Sequence, residues 1–338
     1  MISKFPKDKY KRPIKDLRIS VTDRCNFRCN YCMPAEIFGE SYKFLPKPEL
    51  LSFEEIERMA KIFAKLGVNK IRITGGEPLV RRNIESLIQA LSSINGIDDL
   101  TMTTNGFLLS KHARSLKKAG LNRLTVSLDS LDEKIFNEMS GVSHGPKKTI
   151  DGITSAIREG FENIKVNVVV RKGVNDHTIL DTLDYFIDKN IIVRFIEFMD
   201  VGTKNKWQMD EVVTSQEILD IVRSKYDAKP ISPNYKGEVA SRYKIHDYDN
   251  EIGIISSVTN PFCGACSRAR LSTDGKLITC LFASGGKDLR NLLRSGASDS
   301  EISAEITKVW NLREDRYSEL RSKSGDRKDK VEMYYIGG

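Results

Sequence analysis

Two hydrophobic patterns alternate along the first 200 residues. Short runs rich in Val, Ile or Thr and bounded by Gly, Asn or Asp predict strands at residues 17–21, 70–74, 100–104, 124–128, 165–170 and 193–198. Amphipathic stretches lie between them. The clearest begins at Ser52, with Glu55 three residues on as a capping box. Ile56, Met59, Ala60 and Phe63 follow at helical spacing, and Gly67 ends the pattern. Further helices are predicted at residues 83–94, 110–119, 149–159 and 179–189.

Strand–helix units repeated in this way build a parallel sheet, because each crossover helix returns the chain to the same edge. An open doubly wound sheet and a barrel lacking some of the usual units both satisfy the pattern. In either, ligands bind at the carboxyl ends of the strands, where Thr22, Asp23, Glu77, Asn105, Asp129, Arg171, Glu197 and Met199 fall. Beyond about residue 200 the pattern changes. A helix is predicted at 215–225, a Pro-containing link at 229–235 and short β-like runs that include 253–257. A turn follows at Thr273-Asp274-Gly275-Lys276, then a last helix at 300–313 and a charged tail at 322–330. This divides the chain at 1–228 and 229–338.

Hydrophobic residues make up 40% and charged residues 30% of the chain, the balance of a globular protein. No run of ~18 apolar residues predicts a membrane span. The N-terminal stretch lacks the apolar core of a signal peptide, so a cytoplasmic location is expected. The net charge of +8 is spread along the chain, with no dense Lys/Arg block of the kind found in nucleic-acid-binding tails. Such an excess equally suits a small polyanion.

The six cysteines fall into two distant trios. Cys25, Cys29 and Cys32 have the spacing C-x3-C-x2-C; Cys263, Cys266 and Cys280 have C-x2-C-x13-C. Disulfides suit small secreted domains rather than a chain of this kind. A structural zinc closes four ligands; the second trio has His246 as a possible fourth, and the first has no histidine nearby. Iron–sulfur ligation fits both trios best. Three thiolates leave one iron of a four-iron cluster open to an outside ligand.

At Cys25-Asn26-Phe27-Arg28-Cys29-Asn30-Tyr31-Cys32 the chain resembles the radical S-adenosylmethionine (SAM) enzymes, which carry this spacing with an aromatic residue before the last cysteine, here Tyr31. The resemblance implies an incomplete TIM-type (β/α)6 barrel with a C-terminal extension carrying a second cluster. It also implies a [4Fe–4S] cluster whose open iron chelates SAM, and a 5′-deoxyadenosyl radical formed by one-electron cleavage of the sulfonium. Gly75-Gly76-Glu77-Pro78 looks like the family's motif for the methionine amino group. Ser127 and Met199 match other SAM-contacting positions.

The second trio narrows the resemblance. Pro261-Phe262-Cys263-Gly264-Ala265-Cys266-Ser267-Arg268-Ala269-Arg270-Leu271, then Asp274-Gly275-Lys276-Leu277 and Cys280-Leu281, are similar to the GTP 3′,8-cyclase family of molybdenum cofactor biosynthesis. Tyr335-Ile336-Gly337-Gly338 also matches. The resemblance implies GTP as substrate, a second [4Fe–4S] cluster that meets the guanine base, a homodimer and an external electron donor. It assigns triphosphate and ribose contacts to Arg18, Arg72, Thr103, Lys165, Arg268 and Arg270, with Arg194 as a further arginine on the substrate side. Arginine forks suit phosphate oxygens and stay charged at any working pH. Gly337 and Gly338 are expected to reach into the barrel and help arrange those arginines. Two rivals stand beside this reading: a peptide-modifying radical SAM enzyme, and a non-catalytic iron–sulfur electron carrier.

Overall fold

The computed structural model describes residues 5–321 and 329–337; most of the charged segment, 322–328, and Gly338 lie outside the described residues. Six parallel strands, β1 (Asp16–Ser20), β2 (Lys70–Thr74), β3 (Asp99–Thr104), β4 (Arg123–Ser127), β5 (Lys165–Val170) and β6 (Ile192–Glu197), lie side by side in sequence order. Each falls within a residue or two of its predicted place. The helices between and after them are α1 (Phe53–Lys65), α2 (Ile84–Ser92), α3 (Leu109–Lys118), α4 (Glu133–Ser140), α5 (Lys147–Arg158), α6 (Ile179–Phe186) and α7 (Ser215–Arg223). The Ser52 capping box forms as expected: the Glu55 amide donates to Ser52 Oγ, and the Ser52 amide donates back to the Glu55 carboxylate. Helix α4, capped by Asp132 at the Ile135 amide, is an addition to the predicted set.

The second part of the chain extends both flanks of the same sheet. Strand β10 (Arg268–Leu271) pairs parallel with β1, and β9 (Asn250–Ile255) pairs parallel with β6. Eight parallel strands therefore run β10-β1-β2-β3-β4-β5-β6-β9. Antiparallel strands finish each side: β11 (Lys276–Ile278) and β12 (Lys287–Asp288) beyond β10, and β8 (Ser241–Ile245) and β7 (Ala228–Ile231) beyond β9. The predicted Pro-containing link at 229–235 is thus partly strand. Pro230 sits in β7, at the edge of the sheet, where a missing amide costs no ladder bond. The remaining helices are α8 (Arg290–Arg294), α9 (Asp299–Asn311), α10 (Tyr317–Leu320) and α11 (Met333–Ile336).

Strand alternation sets what faces where. Leu17, Ile19, Ile71, Ile73, Met102, Val126, Val166, Val168, Val193 and Phe195 are buried in the main apolar core with the helices. The alternate positions Arg18, Arg72, Thr101, Thr103, Thr125, Lys165, Asn167, Arg194, Arg268 and Arg270 line one cavity of about 970 Å³. Residues from both flanks, β10 and β9, line it together, so the sheet curls into an incomplete barrel around it. A barrel interior is usually filled with branched apolar side chains. This one is hollow and basic.

Candidate active site

The two cysteine trios occupy opposite ends of that barrel. Cys25, Cys29 and Cys32 follow β1, at the carboxyl ends of the parallel strands. Cys263 and Cys266 precede β10, which runs parallel to β1, so they lie at the amino ends. Cys280 follows β11, which runs antiparallel to β10 and returns the chain to that same end. The five residues of β1 separate the two levels by roughly 16 Å, at ~3.3 Å per residue.

The first trio is braced by its neighbours. The amides of Gly76 and Glu77 donate to the carbonyls of Thr22 and Arg24. A Cβ on Gly76 would lie 2.2 Å from the Arg24 carbonyl oxygen, so only glycine lets the two loops pack this closely. On the other side, the Arg28 and Asn30 amides donate to the carbonyls of Ser140 and Met139 at the end of α4. Met33, Phe38 and Tyr334 form an apolar cluster against Cys25 and Cys32. Burial pushes the Cys25 thiol up to about 12. It raises Cys29 as well, where Cys25 and Cys32 add to the effect. Three half-buried thiols that resist ionising alone are relieved by bound positive charge. In a four-iron cluster each thiolate would take its own iron, an arrangement unlike the ligand set of one metal ion. Among the described residues, no three His, Cys, Asp or Glu side chains converge as the ligands of one metal ion would.

Of the residues expected to meet SAM, Gly76 and Glu77 pack on the loop of this trio and Tyr31 belongs to it. Glu77 is buried; its carboxylate accepts from Thr104 Oγ1 (2.7 Å), the Asn105 amide (2.7 Å) and the Leu79 amide (3.1 Å). Burial raises it to about 7 despite those three donors. A carboxylate offers about four acceptor sites, so one remains for an ammonium. The Tyr31 hydroxyl donates to Asp129 Oδ2 at 2.7 Å. Ser127 ends β4 in register with Asn167. Met199 follows β6 and lines the cavity; Gly76, Glu77, Ser127 and the first trio do not.

The cavity holds the basic residues. Among the described residues, Arg18, Arg72, Lys165, Arg194, Arg268 and Arg270 line it without a salt bridge to any of them in the structure. Arg72 Nη1 donates to Thr103 Oγ1 (2.9 Å) and Thr125 Oγ1 (3.1 Å). Arg194 forks onto Asn167 Oδ1, through Nε at 2.9 Å and Nη2 at 2.7 Å. Buried Nε atoms of Arg18 and Arg72 have no hydrogen-bond partner among the described residues. Burial is the first cause lowering Arg18, Arg72 and Lys165, and neighbouring cations add to it. Lys165 falls to about 7, Arg194 to about 9 and Arg270 to about 10. Clustered, desolvated cations of one sign are costly unless an anion joins them.

The C-terminal segment enters this site. Gly337 is buried, and its carbonyl, with that of Ile336, accepts from Arg270 Nη1. A Cβ there would lie 2.0 Å from Thr74 Cγ2. Ahead of it, Met333-Tyr334-Tyr335-Ile336 forms the short helix α11 and docks, with Tyr334 and Ile336 buried. Gly338 lies outside the described residues.

The second trio shares the cavity, which Cys263, Cys266 and Cys280 all line. Burial alone raises the Cys266 thiol, yet Arg268 and Arg313 bring it down to about 6. Burial holds Cys280 up at about 11. Sequence reasoning missed Asp8, Arg12 and Arg313, which surround this trio. Asp8 and Arg313 are 305 positions apart and share no motif.

Residues 19–186 match the model of the Radical SAM superfamily, and residues 191–319 match Molybdenum Cofactor Synthesis C. A GTP 3′,8-cyclase of Staphylococcus epidermidis is 52% identical over 335 residues, spanning 98% of each chain. One from Staphylococcus aureus is 48% identical over 336 residues, again spanning 98% of each. Among solved structures, Streptococcus suis SuiB bound to S-adenosylmethionine superposes with a TM-score of 0.63 at 17% identity. It covers 94% of this chain and 68% of that one, a likeness of fold. The chain belongs to the GTP 3′,8-cyclase family of the radical SAM superfamily.

Proposed function

We propose that the protein converts GTP to (8S)-3′,8-cyclo-7,8-dihydroguanosine 5′-triphosphate, an early step of molybdenum cofactor biosynthesis. The observation that carries this reading is the hollow barrel, lined by six cations that form no salt bridge among the described residues and by the second cysteine trio. Cys25, Cys29 and Cys32 would hold the [4Fe–4S] cluster that takes SAM. Tyr31, Gly76, Glu77, Ser127 and Met199 would surround SAM. Cys263, Cys266 and Cys280 would hold a second [4Fe–4S] cluster at the far end. When bound, the first cluster and SAM supply a 5′-deoxyadenosyl radical able to take a hydrogen atom from the ribose C3′.

The protein's own task is to hold the substrate. Arg18, Arg72, Lys165 and Arg194 offer donors to a triphosphate, and charge-assisted bonds of this kind contribute ~1.5–3 kcal/mol each. Thr103 Oγ1 accepts from Arg72, which leaves its proton for a ligand oxygen. Arg268, adjoining the second trio, and Arg270, oriented by the tail carbonyls, reach toward the reacting part. Fixing C3′ against both C8 and the hydrogen acceptor converts an encounter into an intramolecular event. The apolar cluster of Met33, Phe38 and Tyr334 screens the first trio from water.

Clustered arginines and a lysine inside a barrel match phosphate oxygens, which favours a polyanion over a peptide as substrate. The test is anaerobic reconstitution followed by assay of SAM cleavage. GTP is expected to stimulate it and to yield the cyclised triphosphate. SAM cleavage indifferent to GTP, with no nucleotide product, overturns the proposal.

A further inference from the structure

Asp8, Arg12 and Arg313 form a buried ionic cluster whose side chains are at most 3% exposed. Asp8 Oδ2 accepts from Arg12 Nε at 2.6 Å and from Arg313 Nη1 at 3.0 Å. Asp8 Oδ1 is engaged by the amides of Tyr10 and Arg12, which fixes the carboxylate in its turn. Trp310 Nε1 donates to the Arg12 carbonyl, and the Arg313 guanidinium lies 4.7 Å from the Trp310 ring centroid. Replacing a buried ion set by apolar residues is often neutral for stability, so stability alone gives little reason for one here.

What the two arginines grip explains it better. Arg12 Nη1 donates to the Cys263 carbonyl at 2.6 Å and the Asp315 carbonyl at 3.0 Å. Arg313 Nη1 donates to the Cys266 carbonyl at 2.9 Å, and Nη2 donates to Cys266 Sγ at 3.3 Å. Arg313 Nε donates to the carbonyl of Thr279, the residue before Cys280, at 3.1 Å. The Thr279 hydroxyl in turn donates to Asp315 at 2.6 Å. The cluster therefore reaches the backbone at or beside every cysteine of the second trio, and the sulfur of one. At the first trio, the donors to sulfur among the described residues are neutral amides: Phe27 at 3.4 Å and the Asn105 side chain at 3.9 Å on Cys25, and the Tyr334 backbone on Cys32.

We infer that Asp8, Arg12 and Arg313 are positioning residues for the second iron–sulfur centre, and that the Arg313 N–H···S contact raises its reduction potential. The inference rests on the proposed second cluster. Reduction adds negative charge to the cluster and its thiolates, and a cation donating to one sulfur stabilises that reduced form. Asp8 orients Arg313 and offsets part of its charge. Removing the two partners must then shift the potential in opposite directions.

The test uses the full chain, reconstituted anaerobically, with iron content read first and the second centre's midpoint followed by electron resonance during redox titration. Arg313→Gln is expected to keep that centre and lower its potential. At fixed ambient potential its reduced-to-oxidised ratio should fall at least tenfold, or ~59 mV for one electron. Asp8→Asn, which keeps the size but removes the opposing charge, should raise it. Shifts of the same sign, or none, overturn the inference. Should Arg313→Gln fail to hold a cluster, Asp8→Asn decides by itself: a rise supports the inference and an unmoved potential overturns it. Wild-type protein with one cluster overturns both this inference and the reading beneath it, whereas two clusters with unmoved potentials strike only the first.

Discussion

Lys165 sits where burial and, next, Arg194 oppose its charge, bringing it down to about 7. Between there and the ordinary lysine value of ~10.4, the folded chain holds fewer protons at this site than the unfolded chain. The stability contribution of Lys165 therefore rises with pH across that window. A polyanion beside it restores the proton. GTP binding near pH 8 is expected to take up a proton, read by calorimetry in buffers of different ionisation enthalpy. Lys165→Met should abolish that uptake; the same uptake in the variant assigns the titration elsewhere. At this scale, much of the candidate site was legible. Cys25, Cys29 and Cys32 announce themselves by spacing, and Gly76 by adjacency to a strand end. Asp8, Arg12 and Arg313 did not, because the Asp8–Arg313 bridge spans 305 positions and the Arg12–Cys263 contact 251, and neither leaves a local trace.

Elements show the same division between local and distant signals. The six central strands and the Ser52-capped helix follow from periodicity and caps that lie within a few residues of each other. The flanking β9 and β10 pair with β6 and β1 across long stretches of chain, and no local pattern specifies those partners. Glu197 shows what holds one such junction. Its carboxylate accepts from the amides of Ser215, Val258 and Thr259 and from the Thr259 hydroxyl, tying β6 to the start of α7 and to the turn after β9. Glu197→Gln is expected to cost ~1.5–3 kcal/mol of stability, measured by chemical denaturation, with iron content preserved. The tail gives a sharper test. Gly337→Ala would set a Cβ against Thr74 Cγ2 at a φ of 67°, so cyclisation should fall at least about tenfold with both clusters retained. Thr74→Ser removes that methyl and should restore part of the rate in the double variant. Full activity in Gly337→Ala would leave the docked tail without a functional role.

At the scale of the whole molecule, one barrel carries a cysteine trio at each end. The cavity between them is reached by the second trio and not by the first. This geometry separates two tasks that the reaction couples. Cys29→Ala removes a ligand at the carboxyl ends of the strands but leaves untouched the arginines and the second trio that line the cavity. It is expected to abolish SAM cleavage while GTP binding, measured by equilibrium dialysis, stays within a few-fold of the parent protein. Cys266→Ala removes a cavity-lining thiolate and the sulfur that Arg313 contacts. It should weaken GTP binding and end cyclisation, yet leave SAM cleavage in the absence of GTP, read as 5′-deoxyadenosine release. The asymmetry follows from strand direction alone: Cys25, Cys29 and Cys32 come after β1, whereas Cys263 and Cys266 come before its parallel partner β10. If both variants lost SAM cleavage and GTP binding together while remaining folded, the two ends of the barrel would form one inseparable site.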